Sequence, residues 1–247
     1  MKTGNLIIGW LYPELMSTYG DRGNILVLKK RCQWRGIKVK IIKLDTGFDK
    51  KQLSMCNLLF MGGAQDKQQQ IVVSDLMEKR TELKRMIENG IPGLYICGAY
   101  QFLGKYYKDA DGTTIASLGI FDLFTVNPGR GFSRQIGASA VQLPNKQIIV
   151  GFENHGGRTY LGKTVKPFGK ILKGFGNNGA DQTEGAVYKN SFGTYFHGPV
   201  LPKNPGFADL LIKLALEKKY DSPINLSPLD DSLELQAHTA IINTLKI

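Results

Sequence analysis

Residues 92–104 read Pro-Gly-Leu-Tyr-Ile-Cys-Gly-Ala-Tyr-Gln-Phe-Leu-Gly. The apolar run Leu94–Ile96 is typical of a short buried strand, and the two small residues after the cysteine allow a sharp turn into a helix over Tyr100–Lys105. A cysteine at such a turn fits a nucleophile elbow, where the partial positive charge of the helix N-terminus favours the thiolate form of Cys97. Free cysteines are also among the most buried residues, so these residues alone leave a structural cysteine open.

The first half of the chain alternates strand and helix patterns. Strands are predicted by apolar, partly β-branched runs at Asn5–Trp10, Ile37–Leu44, Asn57–Met61 and Gly93–Ile96, and helices by apolar spacing at Gly23–Trp34 and Gln68–Glu88. This alternation predicts a mainly parallel sheet flanked by helices. Ligand sites in such sheets collect at the carboxyl ends of strands, where Cys97 and the pair Gly62–Gly63 lie.

The second half has many short strand-like segments separated by glycine-rich turns. They lie at Gly119–Val126, Ile136–Leu143, Gln147–Phe152, Ile171–Phe175, Gly185–Tyr188 and Gly193–Phe196. Helices return at Phe207–Lys219 and Ser232–Leu245. The whole pattern predicts a single α/β domain with an antiparallel extension and a C-terminal helical tail.

The composition narrows the class of protein. The 247 residues are 42% hydrophobic and 21% charged, and the absence of a long apolar stretch or signal-peptide pattern predicts a cytoplasmic protein without a transmembrane segment. The three cysteines are far apart and indicate neither a disulfide framework nor a metal site, and Cys32 and Cys56 are expected to be packing residues. The net charge of +11 is spread among interleaved acids, which does not favour nucleic-acid binding but suits an acidic partner subunit or an anionic substrate.

A thiol nucleophile needs a base within hydrogen-bond reach, and the chain has three histidines. His197 is favoured over His155, because a strand end followed by Gly-Pro holds the side chain at a sheet rim. His238 is expected on the surface of a C-terminal helix. The Gly62–Gly63 pair offers backbone N–H groups to an oxyanion, although an ordinary tight turn explains it equally.

Residues 157–164, Gly-Arg-Thr-Tyr-Leu-Gly-Lys-Thr, match the phosphate-loop pattern letter for letter. A phosphate loop works only where it opens a helix, whose N-terminal N–H groups meet the phosphates. Here Pro167 and Gly169 follow, in a strand-rich region. We therefore expect no nucleotide site in this chain.

Four blocks of sequence together resemble the class I glutamine amidotransferases, in their cobyric-acid-synthase-like branch. The blocks are residues 95–104 around Cys97, Tyr-Gly-Asp-Arg-Gly-Asn at 19–24, Gly-Phe-Glu-Asn-His-Gly-Gly-Arg-Thr at 151–159 and Gly-Thr-Tyr-Phe-His-Gly-Pro at 193–199. The resemblance implies a glutamine amidotransferase domain over residues 5–205, with the C-terminal helices of 206–247 packing on it. Within the branch, the chain is most similar to the glutaminase subunits of lipid II isoglutaminyl synthases, which work with a separate Mur-ligase-like (MurT-like) subunit.

The resemblance assigns residues to glutamine hydrolysis: the nucleophile Cys97, its base His197, the glutamine-contacting Gln101 and Arg134, and the oxyanion-hole glycines Gly63 and Gly98. Arg130 is the fallback for Arg134, and His155 is a family landmark without a catalytic role.

One departure from the family concerns the third catalytic group, which orients the imidazole in a Cys–His pair. The acid expected two residues after the histidine is absent, because Pro199 stands there, and neither Asp209 nor Glu217 has a reason to point back. We therefore expect an aspartate of the partner subunit to supply this group. The isolated chain would then be a weak glutaminase that the partner activates.

The implied function is hydrolysis of glutamine to glutamate and ammonia, and delivery of the ammonia to the Mur-ligase-like subunit. That subunit would amidate the α-carboxyl of D-glutamate in lipid II, which places the pair at the inner face of the membrane. ATP and Mg²⁺ are expected in the partner, and no cofactor or metal is expected in this chain. The alternatives are a glutaminase for another amidation, such as that of a corrinoid, a non-catalytic binding subunit, and a cysteine hydrolase of peptides.

Overall fold

A computed structural model describes residues 4–64 and 66–247. The helices are α1 (Arg22–Trp34), α2 (Lys50–Ser54), α3 (Asp66–Glu88), α4 (Gly98–Phe102), α5 (Pro205–Tyr220) and α6 (Ser232–Leu245). The strands are β1 (Asn5–Leu11), β2 (Lys38–Leu44), β3 (Leu58–Met61), β4 (Gly93–Ile96), β5 (Tyr106–Lys108), β6 (Thr114–Ala116), β7 (Leu123–Val126), β8 (Gln135–Gln142), β9 (Ile148–His155), β10 (Arg158–Leu161), β11 (Gly169–Lys173), β12 (Thr183–Glu184), β13 (Ala186–Tyr188), β14 (Ser191–Thr194) and β15 (Phe196–His197). Two 3₁₀ turns lie at Thr18–Gly20 and Leu201–Lys203.

The central sheet has six strands in the order β13-β14-β4-β3-β1-β2. Neighbouring strands from β14 to β2 run parallel, and β13 at the edge is antiparallel to β14. The prediction of a mainly parallel sheet flanked by helices is confirmed. Its strand order brings the carboxyl ends of β3 and β4 side by side, which is where the predicted site residues begin.

Two hydrophobic cores cover the two faces of this sheet. Leu94 and Ile96 of β4 pack with apolar side chains of α1 and α5, whereas Tyr95 between them packs on the other face with α3 and α4. This period of two is the pattern of a strand buried on both faces. Each large apolar side chain buried in this way contributes about 1.5–3 kcal/mol, so the strand that precedes Cys97 is held firmly.

The predicted antiparallel extension consists of two smaller sheets. One is antiparallel throughout, in the order β12-β11-β8-β9-β15, and the other has the order β10-β7-β5-β6, with β5 and β7 parallel. Residues 157–164 form β10 and a turn rather than the start of a helix, which excludes a phosphate loop there.

The prediction of a single strand at Gly193–Phe196 is wrong. The chain leaves the central sheet after Thr194 and enters the antiparallel sheet at Phe196. The N–H of Tyr195 donates to the buried carboxyl group of Glu184 instead of to a neighbouring strand, so the pattern of strand hydrogen bonds is interrupted at Tyr195. This change of sheet places His197 on β15, at the edge of the antiparallel sheet.

The C-terminal helices differ in how they pack. α5 buries Phe207, Leu211 and Ala215 in the core that also holds α1, whereas α6, all of which is described, has no buried residue. A buried cation connects both helices to α1. Arg31 of α1 donates hydrogen bonds at 2.6–3.1 Å to the carboxylates of Asp209 in α5 and of Asp231, which precedes α6. Among the described residues, no helix is long and apolar enough to cross a membrane.

Candidate active site

Cys97 lies at the turn between β4 and α4, with φ 51° and ψ −106°. This conformation is strained for a residue with a Cβ atom, and such strain persists only where the surroundings enforce it. Here the N–H of Cys97 donates to Thr194 O at 2.8 Å, and its carbonyl accepts from Gln101 N at 2.9 Å. The predicted strand–cysteine–helix elbow is therefore present, and it leaves the Cys97 side chain partly exposed to a cavity.

His197 faces the same cavity from β15, and its side chain is fully buried. Its Nδ1 lies 3.2 Å from Oδ2 of Asp21, and its Nε2 has no aligned hydrogen-bond partner within the described part of the chain. Burial alone would lower the pKa of His197, but the Cys97 sulfur and the Asp21 carboxylate raise it to about 10. The arrangement favours the imidazolium form of His197, with Nε2 turned towards the cavity.

The carboxylate beside His197 belongs to Asp21 of this chain, which differs from the prediction that no acid of the chain lies there. Asp21, at the start of α1, is fully buried and pairs with a histidine 176 residues further along the chain. The expectation that the partner must supply this acid rested on the premise that the chain has none near His197, and that premise is wrong. The signal was present in the sequence, because Asp21 belongs to the block at residues 19–24 that carries part of the resemblance.

The same block forms a cradle for the turn after His197. Asn24 Oδ1 accepts a hydrogen bond from Leu201 N at 2.9 Å. A Cβ atom on Gly23 would lie 2.5 Å from Pro199 Cγ, so glycine is needed for the two segments to meet. The start of α1 thus fixes both the imidazole and the backbone that follows it.

Gly63 lies between the catalytic candidates. Its N–H donates to Asp21 Oδ2 at 2.8 Å and is therefore already bonded in this structure, which does not favour the predicted role as an oxyanion donor. A Cβ atom on Gly63 would lie 2.6 Å from His197 Cε1 and 3.3 Å from Cys97 Cβ. The glycine makes room for the side chains of His197 and Cys97. Gly98 is the first residue of α4, and N–H groups at a helix start have no acceptor within the helix, so its role as a donor to an oxyanion stays a prediction.

The cavity between these elements has a volume of about 420 Å³. Its lining includes the predicted residues Cys97, Gln101, Arg134 and His197. Among the described lining residues, Arg134 is present and Arg130 is not, which favours the first choice of the sequence analysis over the fallback.

Gln101 lies one helical turn beyond Cys97 and is buried in the cavity wall. Its Nε2 donates to the hydroxyl of Tyr195 at 3.0 Å, and that hydroxyl shares a 2.6 Å hydrogen bond with Thr159 Oγ1. A Cβ atom on Gly157 would lie 2.7 Å from Gln101 Nε2, which explains the glycine there. The side-chain amide is therefore held at a fixed place in the wall.

Arg134 is exposed at the rim of the cavity. Its Nε donates to Asn154 Oδ1 at 3.0 Å, and its Nη2 donates to the carbonyl of Asn154 at 3.1 Å. A guanidinium always carries its charge and can bind a carboxylate through two parallel hydrogen bonds. The rim thus presents an oriented cation to the space above Cys97.

Of the other two histidines, His155 lines the cavity, but its nitrogens do not face the sulfur. Its ring stacks on Tyr195 with centroids 3.6 Å apart, Nδ1 lies 2.8 Å from the carbonyl of Gly157, and Nε2 lies 3.5 Å from Glu153 Oε2. Burial lowers the pKa of His155, although the Glu153 carboxylate acts in the opposite sense. The sequence did not predict that His155 lies in the wall of this cavity. His238, on α6, lies with its Nδ1 2.9 Å from Lys203 O.

The other two thiols are unlike Cys97. Cys32 and Cys56 are buried in the two hydrophobic cores, and burial raises the pKa of each thiol to about 12. Both are therefore protonated at neutral pH and behave as packing residues.

The site combines a strained cysteine elbow, a buried His–Asp pair and a cationic rim on an α/β fold. The chain belongs to the CobB/CobQ-like glutamine amidotransferase family, whose model matches residues 7–205. It is 40% identical to subunit GatD of the glutamine-hydrolysing lipid II isoglutaminyl synthase of Staphylococcus aureus, over 96% of this chain and 95% of the relative. It is 41% identical to the corresponding subunit of Streptococcus pneumoniae, over 94% of this chain and 90% of the relative.

A crystal structure of a glutamine amidotransferase has the same fold. It superposes with a TM-score of 0.58 at 15% sequence identity, covering 84% of this chain and 98% of that one. This likeness concerns the fold alone.

Proposed function

We propose that this chain is the glutaminase subunit of a lipid II isoglutaminyl synthase. The observation that carries the proposal is that Cys97 and the buried His197–Asp21 pair face one cavity with Arg134 at its rim. The match to the GatD subunits over nearly the full length of both chains supports lipid II, rather than a corrinoid, as the molecule that is amidated. Retention of both reacting side chains argues against a non-catalytic binding subunit.

Substrate glutamine is held at two places. Its α-carboxylate pairs with the Arg134 guanidinium at the rim, and its side chain reaches down to the Cys97 sulfur. The fixed amide of Gln101 contacts the substrate from the wall. Holding the amide carbon against the nucleophile removes the entropy cost of bringing the two together from solution.

Glutamine is hydrolysed through a thioester. The Cys97 thiolate attacks the amide carbon, and the oxyanion that forms accepts a hydrogen bond from Gly98 N–H. His197 Nε2 gives its proton to the amide nitrogen, the C–N bond breaks, and ammonia leaves. His197 then takes a proton from water, the hydroxide adds to the thioester, and the C–S bond breaks to release glutamate. Asp21 keeps the Nδ1–H of His197 directed away from the cavity throughout.

The ammonia passes to a Mur-ligase-like subunit. There it displaces phosphate from an acyl phosphate on the α-carboxyl of D-glutamate in the stem peptide of lipid II. ATP and Mg²⁺ belong to that subunit, and the lipid-linked substrate brings the pair of subunits to the inner face of the membrane. The carboxylate of Asp21 supports glutaminase activity of this chain without an aspartate from the partner.

The test uses the purified chain, alone and together with its Mur-ligase-like partner. A glutamine-analogue alkylator should label Cys97 and leave Cys32 and Cys56 unlabelled, because burial holds both of those thiols protonated. With ATP, glutamine and lipid II, the pair should form amidated lipid II, measured by mass spectrometry. Equal labelling of the three cysteines would refute the site.

The remaining alternatives give different outcomes in the same assays. Amidation of a corrinoid but not of lipid II would assign the other product. Turnover of peptides without release of ammonia from glutamine would indicate a cysteine hydrolase of peptides.

A further inference from the structure

One asparagine connects two sides of the cavity rim. Asn154 Oδ1 accepts from Arg134 Nε at 3.0 Å, its carbonyl accepts from Arg134 Nη2 at 3.1 Å, and its Nδ2 donates to the hydroxyl of Tyr19 at 2.9 Å. A guanidinium can only donate, so the oxygen of the Asn154 amide must face Arg134 and the nitrogen must face Tyr19. The hydrogen bonds therefore fix the orientation of the amide.

Tyr19 covers the general acid–base residue. Its ring meets the imidazole of His197 edge-on, with centroids 4.9 Å apart. The tyrosine lies in the 3₁₀ turn at Thr18–Gly20 with φ 52°, a conformation disfavoured for a residue with a large side chain, and it is 49% exposed. Packing alone thus holds the ring weakly, and the hydrogen bond to Asn154 is a specific anchor for it.

Asn154 itself stands on a rigid support. It lies in β9, paired with Ile136 of β8, and β9 pairs on its other side with β15, which carries His197. A side chain on the middle of three paired strands moves less than one on a loop, so it can position both the exposed arginine and the strained tyrosine.

We infer that Asn154 is a positioning residue that couples the guanidinium of Arg134 to the tyrosine ring over His197. The inference rests on the proposed function, because it gives Arg134 and His197 their roles with glutamine. The substrate carboxylate holds Arg134, Arg134 holds the amide oxygen of Asn154, and the amide nitrogen holds Tyr19 over the imidazole. Binding of glutamine and shielding of His197 from water therefore depend on the same side chain.

The test is a double-mutant cycle on glutamine hydrolysis, with Arg134→Lys, Tyr19→Phe and both together. The lysine removes the Nε–H that Asn154 accepts, and the phenylalanine removes only the hydroxyl. Each single change should lower kcat/KM, and the double variant should lose less than the product of the two losses, by about threefold or more. On an Asn154→Ala background the two effects should multiply, because the connection is already broken.

Kinetic constants separate positioning from general damage to the fold. Asn154→Ala should raise KM for glutamine about tenfold and lower kcat by a smaller factor, since hydrogen bonds to a charged group are lost at the rim. Tyr188→Phe is the matched control, because it removes an exposed tyrosine hydroxyl bonded to Glu88, and it should leave both constants unchanged.

Multiplicative losses in the cycle on the wild-type background would overturn the inference. That cycle does not require Asn154→Ala to fold, so the inference stays testable if that variant is unstable. Failure of the proposed function looks different, since the wild-type chain itself would then release no ammonia from glutamine.

Discussion

The surroundings of His197 and of His155 look alike, but they shift the pKa of the imidazole in opposite directions. Both residues are buried on paired strands at one cavity, and each lies within 3.5 Å of a carboxylate. Asp21 accepts one backbone N–H and adds its charge to that of the Cys97 sulfur beside His197, whereas both oxygens of Glu153 already accept backbone N–H groups. Burial opposes the charge of both rings, and the available acidic partners decide which of them keeps it.

The largest expected effect is loss of the charged histidine. His197→Ala should lower kcat for glutamine hydrolysis on the order of 10²–10⁴-fold, because the leaving ammonia loses its proton donor. His155→Ala is the matched control, since it removes a buried imidazole from the same cavity, and kcat should change only a few-fold. Steady-state ammonia release measures both. A larger loss in the His155 variant would reverse our choice of base.

Asp21→Asn should have the next largest effect. The substitution removes a charge that raises the pKa of His197, so this pKa should fall by about 1–3 units and the imidazolium should be lost at lower pH. The basic limb of the kcat profile should therefore move to lower pH. Near neutral pH, kcat should also fall on the order of 10–10²-fold, because the imidazole loses the carboxylate that orients it. An unchanged basic limb would show that Asp21 does not set the charge of His197.

Arg134→Lys separates binding from proton transfer. A lysine keeps the charge but cannot bind a carboxylate through two parallel hydrogen bonds, so KM for glutamine should rise about tenfold with a smaller change in kcat. Arg130→Lys is the control and should leave KM unchanged. Loss of glutamine binding in the Arg130 variant instead would move the role four residues towards the N-terminus.

The smallest expected effect concerns the buried acid Glu184 and tests how burial shifts the pKa of a carboxyl group. Burial raises the pKa of Glu184 from 4.5 to about 8, although hydrogen bonds from Thr194 and from the N–H of Tyr195 act in the opposite sense. A raised pKa means that the folded state binds the proton more tightly than the unfolded state. The contribution of Glu184 to stability is therefore complete below about pH 4.5 and is lost as the pH rises towards 8.

Glu184→Gln should remove that dependence on pH. Its Tm should exceed that of the wild type by a few degrees at pH 8, and the difference should shrink towards pH 5. Thermal unfolding at several pH values measures it. If the difference in Tm between the variant and the wild type were the same at every pH in this range, the buried carboxyl of Glu184 would not titrate there.

The local sequence pattern predicts the part of the site that consecutive residues form. Strand β4, Cys97 and the start of α4 are consecutive, and both the apolar run and the small residues after it are visible in the sequence. The fold class followed from the same alternation of strands and helices. These features depend on neighbours within a few residues, which is the range over which sequence patterns act.

The rest of the site depends on contacts that only the folded chain creates. Asp21 meets His197 across 176 residues, and the block at residues 19–24 marks Asp21 as part of the family pattern without showing which side chain it contacts. The need for glycine at Gly63 comes from the side chains of His197 and Cys97, which lie far away in sequence, so the Gly-Gly pair by itself predicts only a source of N–H groups. The break at Tyr195 arises because the Glu184 side chain replaces a strand partner, which a propensity argument cannot anticipate.

The buried Arg31 has a consequence for how the protein is made. It leaves the ribosome 178 residues before Asp209 and 200 residues before Asp231, which at about 5–20 residues per second is a delay of roughly 10–40 s. Until those acids arrive, docking α1 would bury an unpaired charge at a cost of about 3–5 kcal/mol. Because α1 begins next to Asp21, we expect the nascent chain to carry an incomplete catalytic group, and glutamine hydrolysis to begin only when synthesis is nearly finished.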